Sequence, residues 1–309
     1  VDIADPYDIV IFGICMKDIG LASGDRESIG GLEANPSAKT PFQLDRQAAL
    51  ASASKSIARR SHRLLRLYGA FCRRDLSAHF HRIRLLGRLP EIDGPIVLCL
   101  NHPSWWDVEV YGWMGTTIFA DRFCFAPMDA PNLTRYSILE RFGAFAVHPN
   151  SNAGAYAFLS MAELVLQNPK GLLMIAVEGR YRDVRERPVQ PRPGLAHLAR
   201  RAPGAMFVPL ALEYAFWSER RPNLLMSFGE PISGSELAAC KPAAATARIA
   251  EALETTMTAL AEAGRSRDPA RFSILLKGRD GMSGVIDLWR RVNALASGSR
   301  FQKAHRHDA

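Results

Sequence analysis

The chain alternates short apolar runs with longer stretches in which apolar residues return every three or four positions. Between residues 81 and 229 the runs are "HRIRLLG" (81–87), "PIVLCLN" (95–101), "RFCFAP" (122–127), "AFAV" (144–147), "LLMIAV" (172–177), "AMFVPLALEY" (205–214) and "LLMSFG" (224–229). Each has the length of a strand, and helical patterns fall between several of them, near 106–115, 132–142, 152–168 and 193–202. This alternation predicts an α/β fold built on a largely parallel mixed sheet flanked by helices. In such sheets the chemistry gathers at the carboxyl ends of the strands.

The flanks read differently. Residues 1–42 mix one short apolar run with a Gly, Ser and Pro-rich stretch and read as a poorly ordered lead-in. Residues 43–74 predict a basic amphipathic helix, with Leu50, Ile57, Leu64, Tyr68 and Phe71 at helical spacing and Lys55, Arg59, Arg60, Arg63, Arg66, Arg73 and Arg74 between them. Such a helix either rests on an anionic bilayer or packs on the main domain with a solvated basic face. Residues 236–300 read as a C-terminal helical extension, ending in a frayed tail at 301–309.

Composition narrows the partners. Of 309 residues 48% are hydrophobic, enough for a sizeable core, and 39 Lys plus Arg against 31 Asp plus Glu give a net charge of +8. The excess favours something anionic: nucleic acid, a membrane surface or a phosphorylated substrate. No nucleic-acid recognition module accompanies the basic stretches. Cysteines at 15, 72, 99, 124 and 240 form no CxxC pair and no metal-ligand spacing, which predicts reduced thiols in a cytosolic setting. No apolar run reaches the ~20 residues of a spanning helix, so membrane contact is expected to be peripheral.

The chemistry-bearing stretch is "NHPSWWD", 101–107. Two helical residues five apart point about 140° from each other, so His102 and Asp107 meet only if the histidine lies outside the helix. Pro103 disfavours helix at the residue before it, and Ser104 is a good N-cap. Asp107 then falls in the first turn, within reach of an imidazole N–H. The same spacing also fits a capping box in which Asp107 serves only the helix start. A serine hydrolase would need an activated serine, but there is no GxSxG elbow and Ser104 stands at a cap.

"NHPSWWD" resembles the His-x4-Asp first motif of the glycerolipid acyltransferase superfamily, which includes 1-acylglycerol-3-phosphate acyltransferases. "RFGAFAV" (141–147), "IAVEGRYRD" (175–183) and "FVPLALEY" (207–214) resemble its second, third and fourth motifs in order. "RPGLAHLA" (192–199) and "FGEPI" (228–232) add to the likeness, which covers residues 75–235. The resemblance implies an acyltransferase that moves a fatty acyl group from acyl-CoA or acyl carrier protein to a lyso-lipid hydroxyl. It implies His102 as general base, Asp107 as its orienter, and Glu178, Gly179, Arg180 and Arg182 as acceptor-binding residues. It further implies no metal or redox cofactor, no nucleic-acid partner, and peripheral work at the cytoplasmic face of a membrane.

Two departures bear on the acceptor. Where the second motif usually continues into Asp-Arg, this chain has His148-Pro149, and the third motif's Thr-Arg is replaced by Arg180-Tyr181 with Arg182 following. The phosphate clamp is therefore displaced. The acceptor is expected to be a lysophosphatidic acid held by Arg180 or Arg182, or a lyso-lipid with another headgroup, such as an aminolipid or a glycolipid; the competing expectation is an inactive lipid-binding relative.

Overall fold

A computed structural model describes residues 41–148, 151–280 and 284–298. The lead-in expected at 1–42 lies outside these except for its last two residues, and the tail at 301–309 lies wholly outside them.

The described chain opens with helices α1 (Pro41–Arg59) and α2 (His62–His79), followed by strands β1 (Arg82–Leu86) and β2 (Ile96–Leu100) and helix α3 (Asp107–Thr116). Strand β3 (Phe123–Asp129), helix α4 (Ala130–Arg135), a 3-10 helix (Ser137–Phe142), strand β4 (Ala144–Val147), helix α5 (Asn152–Leu166) and strand β5 (Gly171–Ala176) come next. Helix α6 (Gly194–Arg201) leads into β6 (Met206–Ala215), β7 (Asn223–Phe228) and the two-residue β8 (Ile232–Ser233). Helices α7 (Gly234–Ala239) and α8 (Pro242–Ser266), strand β9 (Phe272–Lys277) and helix α9 (Gly284–Ala296) complete it.

The strands form one sheet in the order β4-β3-β5-β2-β6-β7-β1-β9, with β8 pairing β6. Pairing is parallel from β4 through β6 and between β7 and β1, and antiparallel at β6–β7, β1–β9 and β6–β8. The expected α/β class and largely parallel mixed sheet are as read. β2 is central and buried along its whole length, as its unbroken apolar run required. Its Val97 and Cys99 join a core with residues of α1, α5, α6 and α8, while the alternate Ile96, Leu98 and Leu100 are buried outside that cluster.

Two boundaries need correction. The single helix expected over 43–74 is two helices, because Ser61 is extended, accepts a hydrogen bond from the Leu64 N–H at 3.4 Å and donates its own N–H to the Arg141 carbonyl at 2.9 Å. A capping serine inside a helical pattern restarted the helix, and α2 then runs on to His79. The helical extension expected over 236–300 contains a strand: β9 adds an antiparallel edge to β1, so the sheet draws residues from beyond 235.

α2 is amphipathic. Leu65, Tyr68, Gly69, Cys72 and Leu76 face inward at helical spacing. Packed against it is α3, and the approach is close: a Cβ on Gly112 would stand 2.4 Å from Tyr68 Cε1, and one on Gly69 would stand 2.0 Å from Thr116 Oγ1. Glycine at both positions lets the two helices touch, and α3 begins with Asp107.

Candidate active site

β2 ends at Leu100, but its pairing continues by one rung. The Asn101 side chain donates to the Leu212 carbonyl at 2.9 Å and accepts from the Leu212 N–H at 2.8 Å. The main chain is thereby free to leave the sheet at His102 while remaining tied to β6. On the other side of β2, the Leu100 carbonyl accepts from Val177 N and the His102 carbonyl from Arg182 N, at 2.9 and 3.0 Å. His102 is thus held between β6 and the segment that follows β5.

His102 and Asp107 meet as the loop-then-helix geometry predicted, with Nδ1 to Oδ2 at 2.5 Å. The Asp107 side chain is fully buried and that of His102 is 19% exposed. An Nδ1–H donated to the carboxylate leaves the Nε2 lone pair of the neutral ring as the free base. Half of the capping-box reading holds: Asp107 reaches back to Ser104 N, but Trp106 is the residue that caps α3, with no side-chain cap bond, and the Ser104 hydroxyl does not meet the Asp107 N–H. Ser104 N lies 3.5 Å from Asp107 Oδ2, and Ser104 Oγ accepts from Trp106 N at 3.3 Å. One carboxylate therefore anchors the helix entry and orients the imidazole, so the two readings are not alternatives.

The sequence did not single out the tyrosines around this pair. Tyr214, from β6, donates its hydroxyl to Asp107 Oδ1 at 2.5 Å. Burial foremost, then the Asp107 charge, pushes this phenol well above its ordinary pKa, so it remains a donor. Tyr181 stacks on the His102 ring with centroids 4.2 Å apart. Tyr111, one turn along α3 from Asp107, has a buried hydroxyl with no hydrogen-bond partner among the described residues. Neither the residue types nor their spacing marked these contacts, since Tyr214 lies 107 positions from its partner.

The third-motif residues divide into two roles. Glu178 is buried, and its Oε1 accepts from Arg182 Nη1 and, at 2.9 Å, from Gln190 N. Arg182 also donates to the Pro188 carbonyl at 2.8 Å and to Glu186 Oε2 at 2.9 Å. Both side chains are spent on closing the 178–190 loop upon itself. Gly179 turns that loop with φ +63°, a left-handed conformation that glycine adopts without strain. Arg180 is exposed, with no hydrogen bond or ion pair among the described residues. Of the two arginines expected to grip an acceptor, only Arg180 is available.

His148, which stands where the second motif usually continues into Asp-Arg, is exposed just past β4. Trp106 packs edge-on against Phe80 at 5.1 Å, whereas Trp105 is 40% exposed. Among the described residues no group of three or more His, Cys, Asp or Glu side chains is arranged to hold a metal ion. The four described cysteines are free, and burial raises the Cys99 thiol to about 12.

Residues 79–213 match the family model described as Acyltransferase. Among solved structures, the chain is similar to the crystal structure of the 1-acyl-sn-glycerophosphate (LPA) acyltransferase, PlsC, from Thermotoga maritima. The identity is 12% over 65% of this chain and 79% of that one, with a TM-score of 0.47. No curated protein matches the chain significantly.

Proposed function

We propose that residues 79–213, which match the Acyltransferase family model, are the catalytic domain of an O-acyltransferase moving a fatty acyl group from an acyl thioester to a lyso-lipid hydroxyl. The observation that carries this reading is the buried Asp107 carboxylate, 2.5 Å from His102 Nδ1 in that domain. His102 Nε2 takes the proton of the acceptor hydroxyl as its oxygen attacks the thioester carbonyl carbon. The tetrahedral intermediate collapses, the C–S bond breaks, and the imidazolium returns the proton to the departing thiolate. Asp107 stabilises the imidazolium between these steps; base catalysis of this kind contributes about 10² to 10⁴-fold.

Acyl-CoA and acyl carrier protein are both donors of the required chemistry. For the acceptor, the free Arg180 guanidinium supports a phosphate-bearing lyso-lipid such as 1-acylglycerol-3-phosphate. A second reading has its own support. With Glu178 and Arg182 engaged in each other, the site presents fewer cations than a phosphate clamp would use, which favours a lyso-aminolipid or glycolipid.

Both substrates belong at a lipid surface, and the proposal includes peripheral association with an anionic membrane. On the outer face of α2, Leu64 and the 69% exposed Leu67 stand among the exposed Arg63, Arg66, Arg73 and Arg74. No described helix is long and apolar enough to cross a membrane.

The test is transfer of labelled acyl groups from acyl-CoA and from acyl carrier protein to a panel of lyso-lipids, comparing wild type with His102→Ala and Asp107→Asn. Transfer that falls by at least ~10²-fold in the folded His102 variant supports the mechanism. Equal transfer by the His102 variant, or none by any form, sinks it.

A further inference from the structure

The Asp107 carboxylate is buried, and each of its oxygens has a distinct partner. Oδ2 takes His102 Nδ1 and the Ser104 N–H, while Oδ1 takes the Tyr214 hydroxyl. A carboxylate held at one oxygen alone swings about its Cβ–Cγ bond, and the His102 contact would swing with it. Holding both oxygens fixes the plane of the group. Tyr214 is itself fixed: it follows Leu212, whose backbone is clamped by Asn101, it pairs with Leu224 in the β6–β7 ladder, and its ring packs against Phe80 at 5.7 Å. The anchor therefore comes from the strand that the residue preceding His102 already grips.

We propose that Tyr214 is a positioning residue for acyl transfer: by holding Asp107 Oδ1 it keeps Oδ2 on His102 Nδ1, so that the neutral ring stays in the Nδ1–H tautomer with Nε2 free for the acceptor hydroxyl. This rests on the acyltransferase reading above. Tyr214 touches neither the acceptor nor the thioester in this role, and it acts only through Asp107 and His102.

Tyr111 supplies an internal control. Its phenol is also buried and feels the Asp107 charge, yet its hydroxyl bonds to nothing among the described residues. Removing that oxygen makes the same chemical change beside the same carboxylate without releasing Oδ1.

The experiment compares full-length wild type, Tyr214→Phe and Tyr111→Phe, labelled with ¹⁵N-histidine and with the His102 signals identified by their loss in His102→Ala. The ring tautomer is read from long-range ¹H–¹⁵N correlations, and transfer from acyl-CoA to 1-acylglycerol-3-phosphate is measured in parallel. The expected result is an Nδ1–H tautomer in wild type and Tyr111→Phe and a mixed tautomer in Tyr214→Phe. In the latter kcat falls ~10-fold and both KM values stay within about twofold, as expected when only an interaction made in the transition state is weakened. An unchanged tautomer in Tyr214→Phe overturns the proposal whatever happens to kcat, as does the same tautomer change in Tyr111→Phe. Absence of transfer by wild type would overturn acyl-CoA and 1-acylglycerol-3-phosphate as the substrate pair instead, and the spectra would still show whether Tyr214 sets the His102 tautomer.

Discussion

The side-chain amide of Asn101 behaves as an extra peptide unit of β2, exchanging hydrogen bonds of 2.9 and 2.8 Å with the backbone of Leu212. It extends the β2–β6 pairing past the end of the strand and fixes how far His102 stands from β6. Asn101 is buried, so truncation to alanine leaves both a buried N–H and a buried carbonyl at Leu212 without partners. We expect Asn101→Ala to lower unfolding stability by ~2–4 kcal/mol, measured by urea denaturation, and to reduce kcat more than it raises KM. A variant with wild-type stability would show that the clamp is dispensable.

The two arginines of the third motif should respond differently. Arg182 is committed to Glu178, Glu186 and the Pro188 carbonyl. Arg182→Ala is therefore expected to loosen the 178–190 loop, lowering Tm and activity toward every acceptor alike. Arg180→Ala should leave Tm unchanged and raise KM for a phosphate-bearing acceptor about 10-fold, the loss of roughly one hydrogen bond to a charged group. If Arg180→Ala leaves KM unchanged, weight moves to an acceptor without phosphate.

Gly112 sets the spacing between α2 and α3. An alanine there would drive its methyl into Tyr68, which cannot readily retreat because its ring stacks on Phe142 at 4.2 Å and its hydroxyl donates to the Val108 carbonyl at 3.3 Å. Overpacking of this kind costs ~1–3 kcal/mol. Since α3 carries Asp107, Gly112→Ala should lose transfer activity as well as stability, whereas wild-type values for both would show that the helices separate without consequence.

Glu109 gives the α2–α3 contact a dependence on pH. Burial first, then the charge and hydrogen bond of Asp75, push its carboxyl up to about 8 from an ordinary 4.5. Between these values the folded protein retains a proton that the unfolded chain has released. The contribution to stability is thus fully present below about pH 4.5 and is lost as pH rises through 8. Glu109→Gln mimics the protonated form, so its Tm should fall less than that of wild type between pH 5 and pH 8.5. Parallel Tm curves would refute the assignment.

Much of the fold was legible because strand and helix periods differ. The run 144–147 is β4 residue for residue, and the helical pattern over 152–168 contains α5, which ends two residues earlier at Leu166. The sequence pattern did not reveal that Ser61 restarts a helix, since the apolar spacing runs on through it and its own N–H is taken by the carbonyl of Arg141 in the distant second motif. Nor did it mark 272–277 as a strand, because β9 is an edge strand with a mixed burial pattern and no unbroken buried run.

The sequence by itself determined that His102 and Asp107 pair. A strand end, a proline and a turn-forming serine within seven residues leave His102 and Asp107 one local way to meet, and local sterics are written in neighbouring residues. Only the tertiary structure decided what surrounds that pair. Tyr214 reaches Asp107 from β6, Tyr181 covers the imidazole from the loop after β5, and Glu178 claims Arg182 for loop closure. Those partners come from strands adjacent in the sheet but far apart in the chain, and strand order is set by burial over the whole domain, which no short window of sequence contains.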